Sequence, residues 1–185
     1  MTNSIHQKGR STLHEANSAL PLTLVIGLGN PILGDDGLGW CVVKSVEQSY
    51  KELLEAQPKN HIGANDQIQF EYLSLGGLSL MEHMVDFDRV ILVDAITTGK
   101  DSIGTVHICD MDVFPNYAVN HLSSAHDTTL HQALQIGKAM GAKTPDKIYV
   151  VTIEANITYE FSEDISQPIL AAIPEAVKIV MEEIK

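Results

Sequence analysis

From residue 21 onward, hydrophobic positions alternate between two periods. Residues 22–26 (LTLVI) form a run apolar but for Thr23 and ended by Gly27, as in a strand buried on both faces. Leu38, Val42, Val46, Tyr50 and Leu53 then recur every three or four residues, tracing one face of a helix. Residues 56–66 are polar and turn-like. Residues 68–75 predict a second strand closed by Gly76-Gly77, and 78–85 predict a short helix. The RVILV run at 89–93 predicts a third buried strand ending at Asp94.

A fourth strand is predicted at 104–109. A helix is predicted over 126–141, with Leu130, Ala133, Leu134, Ile136 and Met140 as its apolar residues and Gly141 as its stop. KIYVVTI at 147–153 predicts the fifth strand. The last helix presents Ile169, Ile173, Val177, Val180 and Ile184. Pro168 suits its start, and Pro174 predicts a kink or a split.

Strands alternating with helices predict an α/β fold: a three-layer, twisted, mostly parallel sheet of about five strands with helices on both faces. Residues 1–20 are polar and lack apolar periodicity. They are expected to form a disordered tail, leaving 21–185 as one domain. In parallel sheets, sites form where loops leave the carboxyl ends of strands. That rule directs attention to 27–39, 76–80, 94–98 and the stretches after Cys109 and Ile153.

Charge narrows the function. Twelve Lys and Arg oppose 24 Asp and Glu, a formal net charge of -12. Arg10 and Arg89 are the two arginines. No basic footprint for a phosphate backbone is present, so nucleic acid is not an expected partner, and an anionic membrane surface would repel the chain. The apolar run near 22–28 is too short to span a bilayer. Two cysteines, Cys41 and Cys109, without a CxxC pair, argue against a cysteine-built zinc or redox centre. The expectation is a cytoplasmic protein.

The first loop, GLGNPILGDDGLG, holds five glycines in thirteen residues. A dinucleotide fingerprint requires glycine where Ile32 stands, and no Lys-Ser/Thr completes a phosphate loop, so no nucleotide is expected. Asp35 and Asp36 sit at a predicted helix start, where acidic residues serve as caps or complement the helix dipole. Asp94 adds a different possibility. If strands one and three are neighbours, about 5 Å apart, one aspartate of the loop and Asp94 share a site. Two close carboxylates are relieved by a shared proton or a cation, and histidine is a fitting third ligand for a borderline metal.

Of eight histidines, His121, His126 and His131 fall in the right region, and His126 in SAHD is best placed. His131 is five residues further along the helix and cannot share its face. For any one histidine, an ordinary surface or hydrogen-bonded role is the competing reading. Glu154 is read as a solvated loop acid, or else a substrate contact. Met81, Met84 and Met140 read as core filler, Cys41 and Cys109 as small buried hydrophobes, and Trp40 as partly buried packing.

Taken together, GLGNPILGDDGLG after the first strand, VDAI after the third and SAHD before a helix resemble the hydrogenase maturation endopeptidases. The resemblance spans roughly 22–183 and includes the tail IEANITYEFSEDISQPILAAIPEAV. It implies a metal-reading triad of Asp36, Asp94 and His126, with Asp35 beside it able to assist. Some family members have Glu where Asp36 stands, and the shorter side chain here would shift the metal slightly.

The implied activity is a single cut that removes a C-terminal extension from the large-subunit precursor of a nickel-iron hydrogenase. It follows nickel insertion, and the precursor's own nickel serves as the recognition element. Backbone near Asn30, with Gly76 and Gly77, is expected to line a groove for the extended peptide. Two rivals stay open. A nickel-binding accessory protein would use the same ligands without catalysis. A peptidyl-tRNA hydrolase shares the GLGNP stretch, but the acidic charge opposes tRNA. The sequence sets no oligomeric state.

Overall fold

The computed structural model describes residues 21–56, 67–113, 128–156 and 160–185. The expected tail at 1–20, the turn-like 57–66, and His121 and His126 lie outside them. Five strands form one sheet: β1 (Thr23–Leu28), β2 (Ile68–Leu73), β3 (Arg89–Ile96), β4 (Val106–Asp110) and β5 (Lys147–Glu154). Their order is β2-β1-β3-β5-β4. The first four of these neighbours are mutually parallel, and β4 runs antiparallel to β5.

Side chains alternate across the sheet, and each face has its own apolar layer. Leu24, Ile26, Leu28, Val90, Leu92 and Val150 pack with α2 (Gly77–Met84) and α3 (Leu130–Ala139). Val25, Ile91, Val93, Ala95, Val151 and Ile153 pack with α1 (Leu38–Glu55) and α4 (Gln167–Glu183). This is the three-layer α/β arrangement expected from the pattern. Strands one and three are neighbours, with Gly27 opposite Val93.

Local differences have identifiable causes. The connection from β3 to β4 has no helix to carry a parallel crossover, so β4 returns antiparallel. The stretch after Cys109 therefore leaves at the amino-terminal edge, with Asp110 opposite Tyr149, and not at the carboxyl edge as expected. In α3 the buried positions are Leu130, Ala133 and Gly137. A Cβ on Gly137 would lie 2.8 Å from Met81 Sδ, so the missing side chain lets α2 and α3 approach closely.

Ile136 accordingly turns outward, and Met140, expected in the core, is 82% exposed beyond the helix end. Gly141 ends the turn at φ +86°, as its expected role as helix stop requires. Helix α4 starts with Pro168 in its first turn and runs through Pro174 without being split. Met81 and Met84 are buried as expected, whereas both cysteines are only half-buried. Among the described residues, no helix is long and apolar enough to cross a membrane.

Candidate active site

The first loop lies across the carboxyl ends of β1 and β3 by backbone-to-backbone contact. A Cβ on Gly39 would stand 2.3 Å from the carbonyl oxygen of Leu28 and 2.4 Å from that of Val93. Only glycine lets the first turn of α1 rest directly on both strand ends. At Gly29, φ is +116° and a Cβ would meet the Asp36 carbonyl oxygen at 1.8 Å. The loop is thus folded back on itself, with Gly29 against Asp36.

The residues Gly34–Gly37 form one 3₁₀ turn that carries both aspartates. Neither caps α1: its N-cap is Gly37, without a side-chain bond. Asp36 Oδ2 instead accepts the Asn30 N–H at 2.7 Å, closing the loop across six residues. Asp35 turns the other way. Its Oδ1 accepts the Ser166 N–H at 2.7 Å and its Oδ2 accepts the Ser166 hydroxyl at 2.8 Å. The adjacent acids of the sequence therefore do different work.

Asp94 lies inside β3, opposite Thr152, and the strand continues two residues past it. It shares the pleat parity of Val90 and Leu92, so its side chain faces the α2/α3 layer. Asp94 is only 6% exposed. Its Oδ1 accepts the Ala95 N–H at 2.8 Å. Burial, and then the neighbouring Asp36 carboxylate, push the Asp94 carboxyl well above its ordinary range, against the pull of the Ala95 N–H. Asp36 thus bears electrostatically on Asp94 from a turn that leads into Gly39, seated on the Leu28 and Val93 carbonyls.

Among the described residues, no group of three or more His, Cys, Asp or Glu side chains is placed to hold a metal ion. The third candidate ligand, His126, lies outside them. His131 sits exposed on α3 beside Gln135.

Glu154 corrects the reading of a solvated loop acid. It is the last residue of β5 and 1% exposed. Its Oε1 accepts the N–H groups of Thr98 and Gly99 at 2.7 and 2.8 Å, and its Oε2 accepts the Thr98 hydroxyl at 2.7 Å. It anchors the loop that follows Asp94. Ser74, after β2, donates its hydroxyl to the Gly29 carbonyl at 2.7 Å, joining a third strand exit to the same rim. Gly76 is half-buried there, while Gly77 is buried in the first turn of α2 and is no part of an open groove.

Sequence reasoning singled out neither Ser166 nor Thr98. Ser before Gln-Pro is a helix-start signal, and Thr-Thr-Gly is a turn signal. Neither identifies the carboxylate it meets from far along the chain.

The sequence profile of the HycI hydrogenase maturation protease family matches residues 73–183, a span that includes Asp94. The hydrogenase expression/formation protein HupD of Rhizobium leguminosarum bv. viciae is 22% identical over 165 residues, covering 89% of this chain and 75% of HupD. The hydrogenase 2 maturation protease of Escherichia coli K12 is 28% identical over 130 residues, covering 70% of this chain and 71% of that protein.

In fold, the chain matches the hydrogenase maturating endopeptidase HybD of E. coli with a TM-score of 0.64 at 22% identity, covering 87% and 90% of the two chains. It matches the [NiFe] hydrogenase maturation protease HycI of Thermococcus kodakarensis KOD1 with a TM-score of 0.59 at 20% identity, covering 90% and 94%. With more than half its length matched by the family profile, the chain belongs to the hydrogenase maturation protease family and is a peptidase.

Proposed function

We propose that this peptidase removes the C-terminal extension of a nickel-iron hydrogenase large-subunit precursor, acting in the cytoplasm after nickel has been inserted. Nickel enters as part of the substrate. Asp36, Asp94 and His126 are the groups that engage it, and they hold the tail of the precursor across the rim. The observation that carries this reading is that the turn bearing Asp36 runs into Gly39, seated on the ends of the adjacent strands β1 and β3, with buried Asp94 one residue past Val93. Two carboxylates that repel each other favour either a shared proton or a cation delivered between them.

The position of α3 supports His126 as the third group. The helix ends where the chain turns into β5 at the amino-terminal edge, so it runs against the parallel strands. Its ten residues extend about 15 Å towards the carboxyl edge. His126 precedes it by four residues, and α3 covers the face to which Asp94 turns.

In the cut itself, water adds across one peptide bond: its oxygen goes to the carbonyl carbon and a proton goes to the leaving nitrogen. The rim contributes chiefly by positioning, since a single bond in one protein is broken.

Mass spectrometry of nickel-loaded precursor, before and after addition of the enzyme, tests the proposal. The expected result is release of one C-terminal peptide, absent with nickel-free precursor and absent with Asp94→Asn. Binding without release would identify a nickel-binding accessory protein instead. Equal cleavage of nickel-free precursor would remove nickel from the recognition.

A further inference from the structure

Asp35 stands beside a proposed site with both carboxylate oxygens already engaged. Its partner is Ser166, the N-cap of α4, 131 residues away in sequence. An N-cap serine ordinarily turns its side-chain oxygen to the amides of its own helix. Ser166 does not: α4 has no side-chain cap, and the hydroxyl is donated to Asp35. The Ser166 N–H also goes to Asp35, the job that a glutamate in the first helical turn performs in a capping box. The acidic partner is supplied by the glycine-rich loop.

Backbone bonds reinforce the junction. Leu33 pairs with Ser162 in a parallel bridge; Gly34 N–H donates to the Ser162 carbonyl at 2.6 Å, and Ser162 N–H donates to the Ile32 carbonyl at 3.0 Å. The segment from Ile32 to Asp35 is therefore fastened to 162–166 at three successive points. The next residue in the 3₁₀ turn is Asp36. A 3₁₀ turn of four residues has little stiffness of its own. What fixes Asp36 is Asn30 on one side and the fastened Asp35 on the other.

We propose that Asp35 is a positioning residue: clasped to Ser166, it holds the turn that aims Asp36 at Asp94. It takes no proton from water, because both its oxygens serve the clasp. The service to cleavage rests on the peptidase reading given above; the clasp and its hold on Asp36 do not.

The conservative substitution separates positioning from base catalysis. In Asp35→Asn, the amide carbonyl still accepts the Ser166 N–H, and the amide NH₂ donates to the Ser166 hydroxyl oxygen. An asparagine cannot act as a base. Asp35→Ala removes the clasp, and Ser166→Ala removes the hydroxyl half of it.

Two readouts are needed. The first is amide hydrogen exchange at Asn30 in the enzyme alone, since that N–H is donated to Asp36. Asp35→Ala is expected to speed it at least tenfold, and Asp35→Asn to leave it within about threefold. The second is kcat on nickel-loaded precursor. A displacement of about 1 Å at a reacting group costs on the order of 100-fold, so Asp35→Ala is expected to lose about that much. Asp35→Asn should stay within about fivefold of wild type with an unchanged pH profile.

Unchanged Asn30 exchange in Asp35→Ala overturns the proposal, whatever happens to cleavage. An asparagine variant as slow as the alanine variant, with Asn30 protection kept, also overturns it and makes the carboxylate itself the acting group. A wild-type enzyme that cleaves no precursor removes the peptidase reading, and the exchange measurement still decides the clasp.

Discussion

The exits of β3 and β5 each carry a buried carboxylate, and the two are served very differently. Glu154 receives two backbone N–H groups and one hydroxyl, all from the loop after β3. Asp94, nearly as buried, receives the Ala95 N–H and has the Asp36 carboxylate for a neighbour. A buried charge ringed by donors is stable and inert. Asp94, with one donor among the described residues and a like charge beside it, pays a standing cost that folding alone does not explain. The pair teaches how to read buried acids here: Glu154 builds the rim, and Asp94 is the acid we propose acts at it.

The largest test of that contrast is Asp94→Asn. The variant is expected to lose precursor cleavage by at least about 10³-fold while gaining about 1 kcal/mol or more of unfolding free energy near pH 8, since each unit of pKa displacement is worth roughly 1.4 kcal/mol. Cleavage assay and urea unfolding at that pH read the two effects. A variant that is both inactive and less stable would erase the distinction.

Glu154→Ala should move the other way. It strands two loop N–H groups and is expected to cost about 2–4 kcal/mol in urea unfolding, whereas Glu154→Gln, which keeps an acceptor for both, should lose about 1 kcal/mol. An alanine variant as stable as wild type would mean that the loop after β3 does not depend on this anchor.

A pH series sharpens the comparison without the reaction. The folded-state pKa of Asp94 is raised, so its contribution to stability is full below the ordinary carboxylate value near 3.8 and is lost as pH rises through the folded value. The urea stability of Asp94→Asn minus that of wild type should therefore grow from about pH 4 upward. A flat difference would show that Asp94 feels neither its burial nor Asp36. The smallest expected effect lies at the β2 exit. Trp40 donates its indole N–H to the Leu73 carbonyl at 3.3 Å, so Trp40→Phe should cost about 0.5–1 kcal/mol by the same unfolding measurement.

How much of this was legible in the sequence depends on how local the signal is. The apolar runs at 22–26, 89–93 and 147–153 became the three central strands because burial on both faces leaves no polar alternation to misread. The direction of β4 was misjudged at its far end because directionality resides in the connection: nine residues without a helix cannot return a strand parallel. Met140 was misplaced because Gly137, which reads as a gap in the apolar stripe, is where α3 meets α2.

At the rim, strand adjacency paired Asp94 with one aspartate of the first loop, and the family resemblance chose Asp36 over Asp35. The partners of Asp35 and Glu154 could not be named in this way. A carboxylate in a sequence does not reveal whether its donors are a substrate or a distant serine, and only the packing of α4 and of the loop after β3 decides it.

Asp94 lies within β3, and this ties its carboxylate to the pleat. A slip of one residue in the pairing of β3 with its neighbours would exchange the two sides of the strand. The carboxylate would then be thrust among Leu38, Val42 and Ile169, which have nothing to offer it. A misaligned sheet is thus penalised by the same side chain that we propose meets the substrate in a correctly aligned one. Under the proposed function, selection for activity and selection against misregistered chains act on one residue.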